Sequence, residues 1–215
     1  MGIVKKPIKL DGVSKTLVLI DAGHGGIIDG VYTTAPSKMY DHGSFTFFEG
    51  VYNRLIADRY IHYLDKNGIN YMFLTDTNED VPLKHRTDKI NSIVMGYPEY
   101  DPYLVSIHGN AAGVKKATGI EVYTTKGITK SDIYAEIFFK ELKELEWKMR
   151  SDISDGDKDK EANFWMLKNT LCPAILLEIG FFTNKEQALN MMNPYIQDAI
   201  GQFLCEASIK CENLR

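Results

Sequence analysis

The chain has 215 residues, 44% of them hydrophobic and 25% charged, with a formal net charge of −4. That length and apolar content suit one domain with a sizeable core and exclude a disordered chain. A mildly acidic balance supplies no basic field for nucleic acid, and no apolar run reaches the length of a membrane span, so neither partner is expected.

The opening "MGIVKKPIKLDGVSK" has lysines but no long apolar segment behind them, so no signal peptide is expected there. "LVLID" then reads as a strand over residues 17–21. Residues 27–48, "IIDGVYTTAPSKMYDHGSFTFF", lack a helical period and read as a long loop that can hold a hairpin. From Glu49, "EGVYNRLIADRYIHYLDKNG" carries Val51, Leu55, Tyr52, Ile56, Tyr60 and Leu64 at helical spacing, with Gly68 as its stop. "INYMFLTD" reads as a second strand, Pro82 opens a helix, and "YLVSI" and "GIEVYTT" read as strands three and four. Ser131 is expected to cap a helix running through "SDIYAEIFFKELKELEWKMR", and residues 151–160 to form an exposed charged loop. "AILLEI" reads as the last strand. A short helix with Thr183 and Glu186 as its capping box follows, and then a final helix opened by Asn193-Pro194.

Strands alternating with helices predict an α/β fold: a single domain over 1–215, core about 17–210, with a twisted, mostly parallel sheet flanked by helices. In such sheets ligands gather beyond the carboxyl ends of the strands. His24 follows the first strand within "GHGG", His108 ends the third and Glu178 ends the last, which brings two imidazoles and a carboxylate to one sheet edge. A carboxylate after "AILL" is costly to bury without a partner. Catalytic zinc takes three protein ligands from His and Asp/Glu and leaves one position open. His24 and His108 supply two, Glu49 at its helix start supplies the third, and Glu178 is left as general base. Strand-end histidines can instead be satisfied by backbone, so a shared ion requires the two imidazoles within about 5 Å of each other at their nearest nitrogens.

His62 and His85 read as surface groups on helices, and His42 as a loop residue. Asp21 and Asp29 either orient His24 or end the strand in a turn. The loop aromatics Tyr32, Tyr40, Phe45, Phe47 and Phe48 either hold substrate or pack as local core. Among the three cysteines there is no CxxC pair. Cys205 and Cys211 fall on different faces of one helix, and Cys172 beside Pro173 reads as a buried thiol.

The segments "VLIDAGHGG", "FEGVYNRLIADRYIHYLDKNGINYMFLTD", "VPLKHRTDKIN", "YLVSIHGNAA", "GIEVYTT" and "PAILLEIGFFTNKEQ", in that order, resemble zinc-dependent N-acetylmuramoyl-L-alanine amidases of the amidase-3 type, the catalytic domains of cell-wall amidases and endolysins. The resemblance implies Zn2+ held by His24, Glu49 and His108, with Glu178 as catalytic acid/base. It implies hydrolysis of the amide between the N-acetylmuramic acid lactyl group and L-alanine of peptidoglycan. Arg86 and Asn110 match family positions that shape the site or touch substrate; each can equally be structural. The expected protein is a monomer acting on the cell wall, in the periplasm or outside the cell. The same metal and base would serve a zinc peptidase on another peptide amide, and a non-catalytic wall-binding module would keep the fold alone. Two departures from the family pattern stand out: Ala22 where proline is usual, and "FFEGV" around Glu49 without the usual flanking lysines.

Overall fold

The computed structural model describes residues 8–154 and 156–214; the opening Lys5 and Lys6, and Asp155 of the charged loop, lie outside the described residues. In chain order the elements are β1 (Ile8–Lys9), β2 (Thr16–Ala22), β3 (Ile27–Ile28), β4 (Val31–Tyr32), β5 (Met39–Asp41), β6 (Thr46–Phe48), α1 (Glu49–Lys66), β7 (Asn70–Phe73), α2 (Leu83–Gly96), β8 (Asp101–Asn110), β9 (Ile120–Thr124), α3 (Lys130–Leu142), a 3₁₀ turn (Lys143–Leu145), β10 (Lys160–Glu161), α4 (Trp165–Lys168), β11 (Ala174–Phe181), α5 (Lys185–Met192) and α6 (Pro194–Cys211). Seven strands join in one sheet in the order β1-β7-β2-β8-β11-β9-β10. The centre, β7-β2-β8-β11, is parallel.

The expected fourth strand lies in this sheet, but β9 runs antiparallel to β11. No helix separates β8 from β9, and a parallel crossover needs one, so the chain returns in the opposite direction. The long loop holds two hairpins, β3–β4 and β5–β6. The first turns on Asp29-Gly30 with both residues at positive φ, the pattern for which Asp-Gly is selected.

Strand side chains alternate between two apolar layers. Val18, Ile20, Val105, Ile107, Ile175 and Leu177 face the layer made by α1, α3 and α6. Leu17, Leu19, Leu104, Ala174 and Leu176 face a smaller layer that includes Ile90 of α2 and Met166 and Leu167 of α4. Continue the second series to the strand ends and it turns polar: Asp21, then Ser106 and His108, then Glu178. Period two alone therefore sends these groups to one face, above the apolar layer.

Several local expectations are corrected. On α1 the buried stripe is Tyr52, Ile56, Tyr60 and Leu64, while Leu55 is 40% exposed, because it lies one residue round the helix from that line. Thr129, not Ser131, caps α3; its side chain accepts from the Ser131 N–H, and Asp132 closes the box. Ser131 instead turns inward, where its Oγ accepts from Ala174 N at 3.0 Å. That helix ends at Leu142, before the 3₁₀ turn and Glu146 in the left-handed region. Asn184 rather than Thr183 caps α5, since the Thr183 hydroxyl is taken by the Ala112 N–H. Within 151–160 the run is not wholly exposed, because Asp159 is buried and accepts from Thr124 Oγ1. Cys172 is only half-buried, and all three cysteines are free thiols.

Candidate metal centre

His24 stands just past β2, at φ 63, a backbone region that non-glycine residues rarely occupy. The turn is held from three sides. Gly23 N donates to Ile107 O of β8 at 2.9 Å, Asn53 of α1 donates to Gly23 O at 3.0 Å, and Arg86 of α2 donates to His24 O at 3.2 Å. Gly23 is required by close approach, since a Cβ there would overlap the His108 imidazole. Glu49 is the first residue of α1, its N–H bonded to Lys38 O at the end of the double hairpin. The next residue, Gly50, packs against Gly25 O with no room for a side chain. The helix start therefore sits directly on the turn that carries His24.

His24 Nε2 and His108 Nδ1 each lie 3.1 Å from the same oxygen, Glu49 Oε1. The three donor atoms fall within 4.8 Å of one another, inside the limit a shared ion requires. In a tetrahedral site with bonds of about 2.0–2.1 Å, donors stand about 3.3 Å apart, close to the spacing seen here. Glu49 is 1% exposed, and His24 Nε2 is buried with no hydrogen bond among the described residues. Two neutral-capable nitrogens, one carboxylate and an orphaned buried nitrogen fit a divalent cation of the zinc class. Burial by itself would raise the Glu49 carboxyl, but the two imidazoles beside it, His108 first and then His24, pull it down to about 2. Burial lowers the His24 imidazole; for His108 burial acts the same way, but the bond to Glu49 together with the charges of Glu178, Glu49 and Asp21 outweighs it, and its pKa rises.

Glu178 is the register partner of His108 on the adjacent strand. Its Oε2 is buried with no hydrogen bond among the described residues. Burial first, then the charges of Glu49 and Glu121, push its carboxyl up to about 8. A cleft of about 260 Å³ opens beside the cluster, lined by Asp21, His24, Val81, Leu83, Arg86 and His108.

Arg86 is 3% exposed, and its guanidinium is spent on Asp21 Oδ1 (2.9 Å), Ala22 O (2.9 Å), Val81 O (2.8 Å) and the His24 carbonyl. Asp21 in turn accepts from Ser106 Oγ at 2.7 Å, so it braces the strand ends and does not touch the His24 ring. Asp29 serves the hairpin turn. Asn110 caps no helix; it donates to Glu121 Oε2 at 2.7 Å. His42 lies off the cluster, its Nε2 2.9 Å from Phe182 O, tying the second hairpin to the end of β11. His62 and His85 are exposed. Of the loop aromatics, Tyr32 and Phe47 are core, while Tyr40, Phe45 and Phe48 are half-buried. Glu121 escaped sequence reasoning. Its signal was its place in "GIEVYTT", alternate to Ile120 and Val122, which puts it on the face of Glu178.

A family profile described as N-acetylmuramoyl-L-alanine amidase matches residues 18–210. The chain is 26% identical over 172 residues to the uncharacterized protein YqiI of Bacillus subtilis (strain 168), covering 80% of this chain and 72% of that protein. It is 28% identical over 172 residues to the N-acetylmuramoyl-L-alanine amidase CwlM of Bacillus licheniformis, covering 80% of this chain but 58% of that protein's length. Among solved structures, an N-acetylmuramoyl-L-alanine amidase from Clostridium difficile 630 superposes with a TM-score of 0.74 at 24% identity, covering 96% of this chain and 100% of that one. At that identity the likeness speaks to the fold.

Proposed function

The chain belongs to the N-acetylmuramoyl-L-alanine amidase family, and on that premise we propose that it is a zinc hydrolase that cleaves the amide between the N-acetylmuramic acid lactyl group and L-alanine in peptidoglycan. The observation that carries this is the meeting of His24, Glu49 and His108 at donor spacing, with Glu178, whose Oε2 has no hydrogen bond among the described residues, one strand away.

His24, Glu49 and His108 would hold the ion. Bound there, zinc supplies a Lewis acid for the amide carbonyl and for the water that attacks it. Glu178 supplies the proton chemistry. Its Oε2 takes a proton from the attacking water and delivers it to the leaving nitrogen of L-alanine, so the C–N bond breaks to a lactyl carboxylate and a free amine. A carboxyl raised by burial beside the cluster is suited to carry a proton from the water to the leaving nitrogen. Arg86 and Asn110 act as positioning residues, Arg86 on the His24 turn and Asn110 on the carboxylate of Glu121. Among the described residues no helix is long and apolar enough to cross a membrane. The protein is read as a catalytic module that works at the cell wall.

Purified peptidoglycan treated with the protein in zinc should release stems with a free L-alanine amine and leave free lactyl ends, as read by mass spectrometry. Glu178→Gln should keep its zinc and lose about 10²–10⁴-fold in rate. Cuts inside the stem would mean a peptidase, and wall binding without release would mean a non-catalytic module. An unimpaired Glu178→Gln would remove the assigned proton carrier.

A further inference from the structure

Next to Glu178 the same sheet face carries two cations, Arg150 and Lys160, that the hydrolytic step leaves unused. Glu121, on β9, is the register partner of Glu178 across the antiparallel pair and is 4% exposed. Its Oε1 accepts from two cations at once, Arg150 Nε at 2.8 Å and Lys160 Nζ at 2.7 Å. Its Oε2 accepts from Asn110 Nδ2 at 2.7 Å and Tyr123 OH at 2.8 Å. One carboxylate thus holds two positive groups at hydrogen-bond distance.

Both cations are fixed and both are reachable. The Arg150 guanidinium lies 5.2 Å from the Phe181 ring centre, and Lys160 Nζ lies 5.9 Å from that of Tyr123. Their side chains are 33% and 25% exposed. The two terminal nitrogens of Arg150 carry no hydrogen bond among the described residues, and Lys160 Nζ uses one donor of three. A guanidinium anchored through Nε, with its outer edge free, is preorganised for a second carboxylate.

We propose that Arg150 and Lys160, braced by Glu121, form a subsite for a free carboxylate on the stem residue that follows L-alanine. The assignment rests on the amidase reading above. Strand order places His108, Glu178 and Glu121 on consecutive neighbours, β8, β11 and β9. At about 4.8 Å per strand, Glu121 lies about 10 Å from the His108 row. An extended stem advances about 3.3–3.6 Å per residue. With the scissile amide at the His24–Glu49–His108 cluster, a side group two residues on reaches the two cations.

The test uses two muramoyl tripeptides whose second stem residue is a dicarboxylic amino acid joined onward through its side-chain carboxyl; its α-carboxyl is free in one probe and amidated in the other, and both probes are amidated at the C-terminus. Wild type should show kcat/KM about tenfold higher for the free acid, equivalent to about 1.4 kcal/mol. Lys160→Gln and Arg150→Gln should each bring that ratio toward one, Lys160→Glu should carry it below one, and Lys160→Arg should preserve it. Equal kcat/KM for the two probes in wild type would overturn the subsite while leaving the amidase assignment standing. Variants that slow both probes equally would do the same, since that is the mark of a structural role. Cleavage of neither probe would overturn the amidase reading and the subsite with it.

Discussion

At the scale of single residues the centre depends on how buried charges are compensated. Asp21 and Arg86 are both almost fully buried, 2.9 Å apart, and each also bonds to strand or turn groups. Removing one partner of such a pair leaves an uncompensated charge in a region that cannot solvate it. Arg86→Met should therefore cost about 3–5 kcal/mol in chemical denaturation. A loss under 1 kcal/mol would show that the Asp21 charge is relieved in some other way. The same residues hold the His24 turn, so weakened zinc affinity should accompany the lost stability.

At the scale of elements, most boundaries follow from which polar group reaches a helix end first. α3 begins where the Thr129 hydroxyl and the Asp132 carboxylate exchange bonds with the backbone. Thr129→Ala should destabilise the fold by about 1 kcal/mol, visible as a lowered denaturation midpoint with an unchanged slope. Ser131→Ala acts differently, since its hydroxyl serves Ala174 N of β11 and not the helix end. If Ser131→Ala disturbed helix α3 and Thr129→Ala did not, the cap assignment would be reversed. The double hairpin is a second such element. His42 on Phe182 O and Glu49 N on Lys38 O pin the two ends of its second hairpin to the sheet and to α1, which fixes where Glu49 enters the cluster.

At the scale of the whole molecule, metal and protons both report on the folded state. A ligand that binds only the native form stabilises it, and a three-residue cluster drawn from β2, α1 and β8 exists only when folded. Chelation should lower Tm and zinc should restore it; a Tm indifferent to both would argue against an ion held at the cluster. Asp159 supplies a pH dependence remote from that centre. Burial, then the bond and charge of Asp157 and the charge of Asp132, push its carboxyl up to about 7. The folded protein therefore holds a proton that an unfolded aspartate releases near pH 3.9. Stability from this group is full below about pH 4, falls as pH rises to about 7, and then levels. Asp159→Asn should gain in Tm over wild type progressively across that window. A constant difference across it would show that the carboxyl titrates normally.

Much of this was legible in the chain itself. Short apolar runs in "LVLID", "YLVSIH" and "AILLEI" marked buried strands ending in polar groups, and a polar group that ends a buried strand must be compensated, so His24, His108 and Glu178 stood out before any contact was known. The α/β class followed from alternation of strand and helix periods, which are local properties. The tertiary structure decided what depends on distant segments: that Glu49 shares one oxygen with both imidazoles, that β9 runs back against β11, and that Glu121 gathers Asn110, Tyr123, Arg150 and Lys160 beside Glu178. It also decided which of several adjacent polar groups became caps, because Ser131 and Thr183 were claimed by other segments. Periodicity reports only which face a side chain takes, whereas a contact depends on which remote segment the fold lays against that face.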